Sequence, residues 1–368
     1  MCMTNRRHPI FCILPPHILV HIAKNGTKEQ RDSALQALGV DSSIRTSRLT
    51  YSLLGGLQVP HVDAAGPGTP QKQRTIYDSR QTETLPGQLI RSEGEQPVAD
   101  LAVNQAYDGL GNTFDFYHDV YQRNSIDNRG LPLKASVHYG QNYDNAFWNG
   151  QQMVFGDGDN QIFTGFTGCL EVIGHELTHG VTGSEANLNY QGQSGALNES
   201  ISDVFGVLVK QKKLNQTADQ ADWLIGEGLL MPGIHGVALR SMKEPGTAYD
   251  DPTLGRDPQP ATMSGYVQTT QDNGGVHTNS GIPNHAFYLV AAALGGRAWE
   301  KAGQIWYDTL LDPRLKASAN FAAFANLTAL NAGRRYGSNS DEAKAVLDAW
   351  HRVGVKTVAK TAAAGVTS

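Results

Sequence analysis

Apolar positions along the chain fall into three stretches of different character. In residues 1–58, Pro15-Pro16 precede Ile18, Leu19, Ile22 and Ala23, which are spaced for one face of a short helix that stops near Asn25-Gly26. Thr27 with Gln30 three residues on has the form of a capping box. It opens a second expected helix with Ala34, Leu35 and Leu38 as its apolar face and Gly39 as its end. Two short helices bury little by themselves, so this unit should lean on a larger body. Residues 59–75 contain Pro60, Pro67, Pro70, Gly66 and Gly68 and read as an exposed linker, the kind of segment proteases cut.

From Arg74 to about Gly158, runs such as Ala135-Ser136-Val137-His138-Tyr139 and Gln152-Met153-Val154-Phe155 read as strands between turns rich in Gly and Asn. A helix is expected over 100–123, where Leu101, Ala106, Tyr107, Phe114, Phe116 and Val120 recur, packed on an antiparallel sheet. From Thr167 to Val355 helices dominate. The clearest span 169–182, 198–212, 283–293, 300–310, 321–336 and 341–353, the last capped by Ser340. The tail, 357–368, has no periodicity, and there is no internal repeat. The whole reads as an α+β protein.

Composition changes this picture little. The chain is 40% hydrophobic and 18% charged, a globular profile. Lys and Arg number 30 against 35 Asp and Glu, so the net charge of −5 leaves no footprint for nucleic acid or an anionic membrane. No run approaches the length of a membrane span. Cys2, Cys12 and Cys169 make no disulfide framework. Arg6-Arg7 before Ile10–Leu14 mimics a signal peptide. The apolar run ends at Pro15-Pro16 after five residues, short of the roughly 7–15 that secretion or a twin-arginine signal would follow with. Export without a standard signal is expected, with a cytoplasmic location as the alternative, and the protein is expected to be a monomer.

The chemistry centres on His175-Glu176-Leu177-Thr178-His179. Positions i and i+4 of a helix share a face, so both imidazoles can reach one metal ion. Glu176 is turned about 100° away. It borders the metal's open position without binding, where a general base is needed. The bland reading, two core or surface histidines, would leave polar groups unsatisfied among Leu170, Val172, Ile173 and Leu177. Two histidines need a third protein ligand. Glu199 follows His175 by 24 residues on a second expected helix, and Asp203 lies one turn further on the same face. Asp203 and Asn198 could each take the outer N–H of a ligand histidine. Alternatively, Glu199 and Asp203 are an acid pair serving the start of that helix.

HELTHG followed by NESISDVFG resembles the thermolysin-like neutral zinc metalloproteases. Asn145–Gly150, Gly156–Asp159, Ala238–Met242, Gln271–His277 and Ala349–Val355 fit in the family's order. The resemblance covers about 74–356, and the leader with Cys12–Pro16 is similar to the short propeptide of the protealysin branch. It implies a sheet-rich lobe over 76–183, a helical lobe over 184–356, a propeptide over 1–58 and maturation within 59–75. It implies one catalytic zinc and an endopeptidase cutting before hydrophobic residues, with protein or peptide substrates and the propeptide as intramolecular inhibitor. Tyr190 and His277 resemble the oxyanion-stabilising pair and Asp272 the partner that orients His277; without the resemblance, His277 is any loop histidine. Arg240 resembles the arginine that holds a substrate carbonyl, its alternative being a surface salt bridge. Asn145 and the Ala146 backbone resemble the edge that pairs with a substrate strand. Phe163, Phe166, Val172, Ile225 and Leu239 resemble the pocket for the residue after the cut.

Lys210, Leu224 and Val237 depart from calcium-rich relatives, which place carboxylates there, so fewer Ca2+ sites are expected and Lys210 should meet Glu171, Asp222 and Glu227. The segment near Tyr249–Thr269 should differ in course. Cys12 could ligate the zinc in the precursor or be a small buried hydrophobe. Two other readings remain: a catalytically dead zinc protein, and an aminopeptidase on the same HExxH plan.

Overall fold

The computed structural model describes residues 11–53 and 71–357, with side chains for 12–40 and 71–357. The leader begins with strand β1 (Phe11–Cys12) and continues into helices α1 (Pro16–Asn25) and α2 (Lys28–Leu53). Pro16 opens α1, whose buried face is Ile18, Leu19 and Ile22. The capping box forms, with Thr27 N donating to Gln30 Oε1 at 2.8 Å and Gln30 N to Thr27 Oγ1 at 3.3 Å.

Gly39 does not end α2, which runs on to Leu53. A β-carbon at Gly39 would meet nothing within 4 Å, so the glycine lies on an open side. A glycine inside a helix costs only about 1 kcal/mol, and Val40 beyond it is buried. The buried stripe of α2 also differs from expectation. It is Ser33, Ala34, Ala37 and Val40, while Leu35 is 57% exposed. Small side chains let the helix lie close against the body.

The linker at 59–75 falls outside the described residues except for 71–75, and the tail except for residue 357. The body starts with β2 (Arg74–Asp78) and β3 (Gln88–Ser92). Then come α3 (Leu101–Tyr121), β4 (Leu133–Val137), β5 (Ala146–Trp148) and β6 (Met153–Phe155). The sheet order is β1-β5-β6-β4-β2-β3. It is mixed and not purely antiparallel: β2 with β4 and β4 with β6 are parallel. Parallel neighbours need a crossover, and α3 supplies the one between β2 and β4. The leader itself adds the edge strand, Phe11 opposite Trp148 and Cys12 opposite Phe147.

Helices follow: α4 (Leu170–Ser184) and α5 (Gly192–Leu214), then after short strands β7 (Leu224–Ile225) and β8 (Arg240–Ser241), α6 (Asp272–Asn279), α7 (Gly281–Leu294), α8 (Ala302–Leu310), α9 (Phe321–Tyr336) and α10 (Asp341–Arg352). Ser340 caps α10 through Ala343 N as expected. Leader and body share one apolar core, in which Ile13, Leu14 and Ile18 join Trp148 and Ile173. Helices α4 and α5 cross closely: a β-carbon on Gly206 would stand 2.5 Å from Glu171 O, and one on Gly174 3.1 Å from Gly206 Cα. Among the described residues no helix is long and apolar enough to cross a membrane.

The start of α3 is tied to the sheet side by His138. Asp100, the N-cap of α3, accepts from Ala102 N and Val103 N, and its Oδ2 lies 2.8 Å from His138 Nε2. The other ring nitrogen is 2.8 Å from Asp157 Oδ1. Carboxylates only accept, so an imidazole that bonds both must carry both protons. The bond to Asp157 raises the His138 pKa, partial burial opposes it, the bond to Asp100 adds to it, and the result is about 9. A raised folded-state pKa gives stability that is complete below the unfolded value of about 6.5 and fades as pH climbs through 9. The melting temperature should therefore fall between about pH 7 and about pH 10, and the slope should shrink in His138→Gln. A slope equal in the two proteins would refute this.

Candidate active site

Helix α4 is buried from Glu171 to Gly183 and presents its two histidines to α5. His175 Nδ1 is 2.7 Å from Asp203 Oδ1, so Nδ1 carries a proton for that carboxylate and Nε2 is turned away from it. His179 Nδ1 is 2.8 Å from Asn198 Oδ1 and 3.0 Å from Ser202 Oγ, which assigns the same tautomer. Burial first, then the nearby His175, holds His179 well below its usual pKa and therefore neutral.

The two Nε2 atoms stand 3.0 Å apart. Glu199 Oε2 is 3.5 Å from one and Oε1 3.5 Å from the other. Ligand atoms of His175, His179 and Glu199 all lie within 4.8 Å of one another, and all three residues are buried. Imidazole Nε2 lone pairs and carboxylate oxygens at this range repel one another; a cation between them turns repulsion into coordination. Two imidazoles and one carboxylate are a donor set that suits zinc.

Helix α5 starts at Gly192, so Glu199 and Asp203 lie well past its first turn and do not serve its N-terminus. Asp203 is instead the hub beneath the histidines. Arg240 donates to it through Nε at 2.9 Å and Nη2 at 2.8 Å, and Asn284 Nδ2 donates at 2.8 Å. Burial alone would raise the Asp203 pKa, but the charge of Arg240, and after it the contact with His175, hold it below the carboxylate range.

Glu176 follows His175 in the helix. Its Oε2 accepts from Trp148 N at 3.0 Å, and its buried Oε1 has no partner among the described residues. Burial first, and Glu199 second, push its carboxyl well above the usual range, as suits a group that must take up a proton. On the other side, Tyr190 Oη donates to Glu199 Oε1 and stands 3.2 Å from His277 Nε2. His277 Nδ1 is 2.7 Å from Asp272 Oδ1, and its backbone N donates to Asp272 Oδ2 at 2.8 Å. Asn273, Gly274 and Gly275 between them take left-handed φ of 49°, 83° and 74°, a turn that brings the carboxylate back over the ring.

Residues 11–14 run through this site. Ile13 N donates to Ala146 O at 3.2 Å and Leu14 N to Asn145 Oδ1 at 3.1 Å. Arg240 Nη1 donates to Ile13 O at 3.0 Å, and His277 Nε2 is 3.2 Å from Cys12 O. Cys12 thus turns its carbonyl to the site, and the residue is buried in the apolar core, as expected of a small hydrophobe. Arg240 is buried at 1% exposure and is no surface salt bridge.

The five apolar residues expected to line a pocket are all buried. The Phe163 and Phe166 rings meet at 6.0 Å, Leu239 N donates to Ile225 O at 2.8 Å, and Val172 lies a turn before His175. The segment near Tyr249 receives the leader: His17 Nε2 is 2.9 Å from Tyr249 Oη and His21 Nδ1 is 3.0 Å from Thr253 O. Trp148 N, Ser202 and Asn284 escaped sequence reasoning. Asn284 left a signal, a lone amide in the apolar run of α7, whereas a backbone N–H leaves none.

Residues 62–183 match the model of the thermolysin metallopeptidase catalytic domain and 186–355 that of its alpha-helical domain. An extracellular metalloprotease of Pectobacterium carotovorum is 54% identical over 352 residues, covering 95% of this chain and 98% of that one. Thermolysin of Alicyclobacillus acidocaldarius is 42% identical over 288 residues, 76% of this chain and 50% of that one. Among solved structures, the precursor of protealysin from Serratia proteamaculans matches with a TM-score of 0.85 and 55% identity, over 94% of this chain and all of that one.

Proposed function

The chain belongs to the thermolysin metallopeptidase family and is a zinc endopeptidase made as a precursor; on that premise we propose that His175, His179 and Glu199 hold the zinc and Glu176 is the general base. The observation that carries this reading is the buried meeting of the two imidazole Nε2 atoms with the Glu199 carboxylate. Zinc, when bound, polarises the substrate carbonyl and makes water more acidic. Glu176 takes a proton from the attacking water on its free Oε1 and passes it to the leaving nitrogen. Tyr190 and His277 donate to the carbonyl oxygen as charge builds there, with Asp272 fixing the ring. Asp203 and Asn198 hold the ligand histidines in one tautomer.

Arg240 grips the carbonyl after the cut, while Asn145 and Ala146 pair with the substrate backbone. Phe163, Phe166, Val172, Ile225 and Leu239 supply an apolar pocket that favours a hydrophobic residue after the scissile bond. The leader, occupying these same groups through residues 12–14, acts as an intramolecular inhibitor. The Pectobacterium relative is named extracellular, which supports secretion of this chain. A peptide blocked at its N-terminus separates the readings. An endopeptidase cuts it before a hydrophobic residue; an aminopeptidase or a dead zinc protein leaves it whole.

Calcium should matter little. Lys210 Nζ lies 2.8 Å from Asp222 Oδ2, 2.7 Å from Glu227 Oε2 and 3.8 Å from Glu171 Oε1. Burial would lower its pKa, but the charge of Glu171 and the bonds to Asp222 and Glu227 outweigh that and keep it charged. An ammonium at the centre of three acids repels a divalent ion and neutralises its ligands. A site no tighter than millimolar adds only about 0.4 kcal/mol at millimolar calcium, so the melting temperature should move by less than about 2 °C. A larger calcium-dependent rise would overturn this.

A further inference from the structure

The leader does more than cover the cleft: its backbone is threaded through the site with one peptide bond at the centre. The strand runs antiparallel to β5, and its polar groups alternate between two walls. Ile13 N and Leu14 N face Ala146 O and Asn145 Oδ1, while Ile13 O faces Arg240. Cys12 O, on the other side of the Cys12–Ile13 bond, faces His277 Nε2. That nitrogen is itself 3.2 Å from Tyr190 Oη and 3.5 Å from Glu199 Oε2, so this carbonyl is the one directed at the metal-binding group. Both sides of the bond are therefore fixed by named partners, and Ile13 and Leu14 are fully buried. Holding a reacting bond in an extended, oriented form removes much of the entropic barrier to its reaction.

We propose that the Cys12–Ile13 bond is held as a substrate bond and is hydrolysed by the chain's own site, a self-cleavage distinct from removal of the leader. The inference rests on the peptidase reading given above. The reaction consumes one water. Its oxygen joins the Cys12 carbonyl carbon, the Cys12–Ile13 carbon–nitrogen bond breaks, and one water proton passes through Glu176 to the Ile13 nitrogen. The other proton leaves from the new Cys12 carboxyl group.

The product downstream of the bond is firmly held. Downstream of the bond, His17 meets Tyr249, His21 meets Thr253, and Ser33 Oγ donates to Asp144 Oδ2 at 2.8 Å and Asn142 O at 2.7 Å. Ile18, Leu19 and Ile22 are buried beside them. The segment beginning at Ile13 stays in place as a tethered product at high effective concentration. Cleavage at this bond leaves the enzyme latent.

The test starts from full-length protein stripped of metal, to which zinc is then added, with intact mass and N-terminal sequencing followed in time. The expected result is a species beginning at Ile13, formed at a rate unchanged by a roughly tenfold dilution, because the bond is already in the site. Glu176→Gln should form none. Independently of turnover, hydrogen exchange on the metal-free chain should find the Ile13 and Leu14 amides protected. Free exchange at those amides, a rate proportional to concentration, or an intact bond in a preparation whose processed fraction cuts a blocked peptide would each overturn the inference. If the blocked peptide is also left whole, it is the peptidase reading that fails, and this inference falls with it.

Discussion

Replacing Glu176 by glutamine should leave one zinc per chain and remove nearly all turnover. The substitution keeps the acceptor for Trp148 N and keeps the side chain's size, so the fold and the histidines above it are undisturbed. It removes the group proposed to shuttle the proton from water to the leaving nitrogen. General acid–base catalysis contributes about 10²–10⁴ in rate, and here one residue serves both steps, so a loss of at least about a thousandfold is expected. His179→Ala should instead lose metal and activity together, because it deletes a proposed ligand. Metal analysis beside a peptide assay separates the outcomes. Substantial turnover in Glu176→Gln would remove the proposed base.

The second large effect is expected at Arg240, whose guanidinium is the counter-charge of a wholly buried carboxylate. Arg240→Ala leaves Asp203 with only Asn284 and His175 for partners. Breaking a buried ion pair from one side costs about 3–5 kcal/mol, since the remaining charge is stranded. For a chain of this size that corresponds to a drop in melting temperature on the order of 10 °C. The variant also frees Ile13 O, so the leader should become more accessible to an added protease. A melting temperature within about 1 °C of wild type would mean that Asp203 is neutralised without Arg240.

Much of the site was legible in the sequence because helical periodicity does geometric work. The spacing of His175 and His179 fixes a shared face, and the step from Glu199 to Asp203 fixes another; both pairs meet as read. The capping box at Thr27 and the cap at Ser340 are equally local and equally readable. What escaped depends on the third dimension. The parallel pairing of β2 with β4 is set by the crossover through α3, which strand patterns do not encode. The run of α2 past Gly39 is set by what lies beside that residue, here nothing. Cys12 invited a reading through its thiol, whereas its backbone carbonyl is the group that meets His277, and every residue type carries one of those. Trp148 N is the same kind of case.

The glycines at the crossing of α4 and α5 have a consequence for where this enzyme tolerates variation. The distance between the two histidines and Glu199 is dictated by how near two helix backbones come, and Gly206 permits an approach that a single methyl group would obstruct 2.5 Å from Glu171 O. The spacing of the proposed ligands thus hangs on a position with no side chain and no chemistry. Inherited drift in metal affinity should accumulate first at such silent contacts, long before any ligand is exchanged, and a catalogue of reactive residues would overlook them.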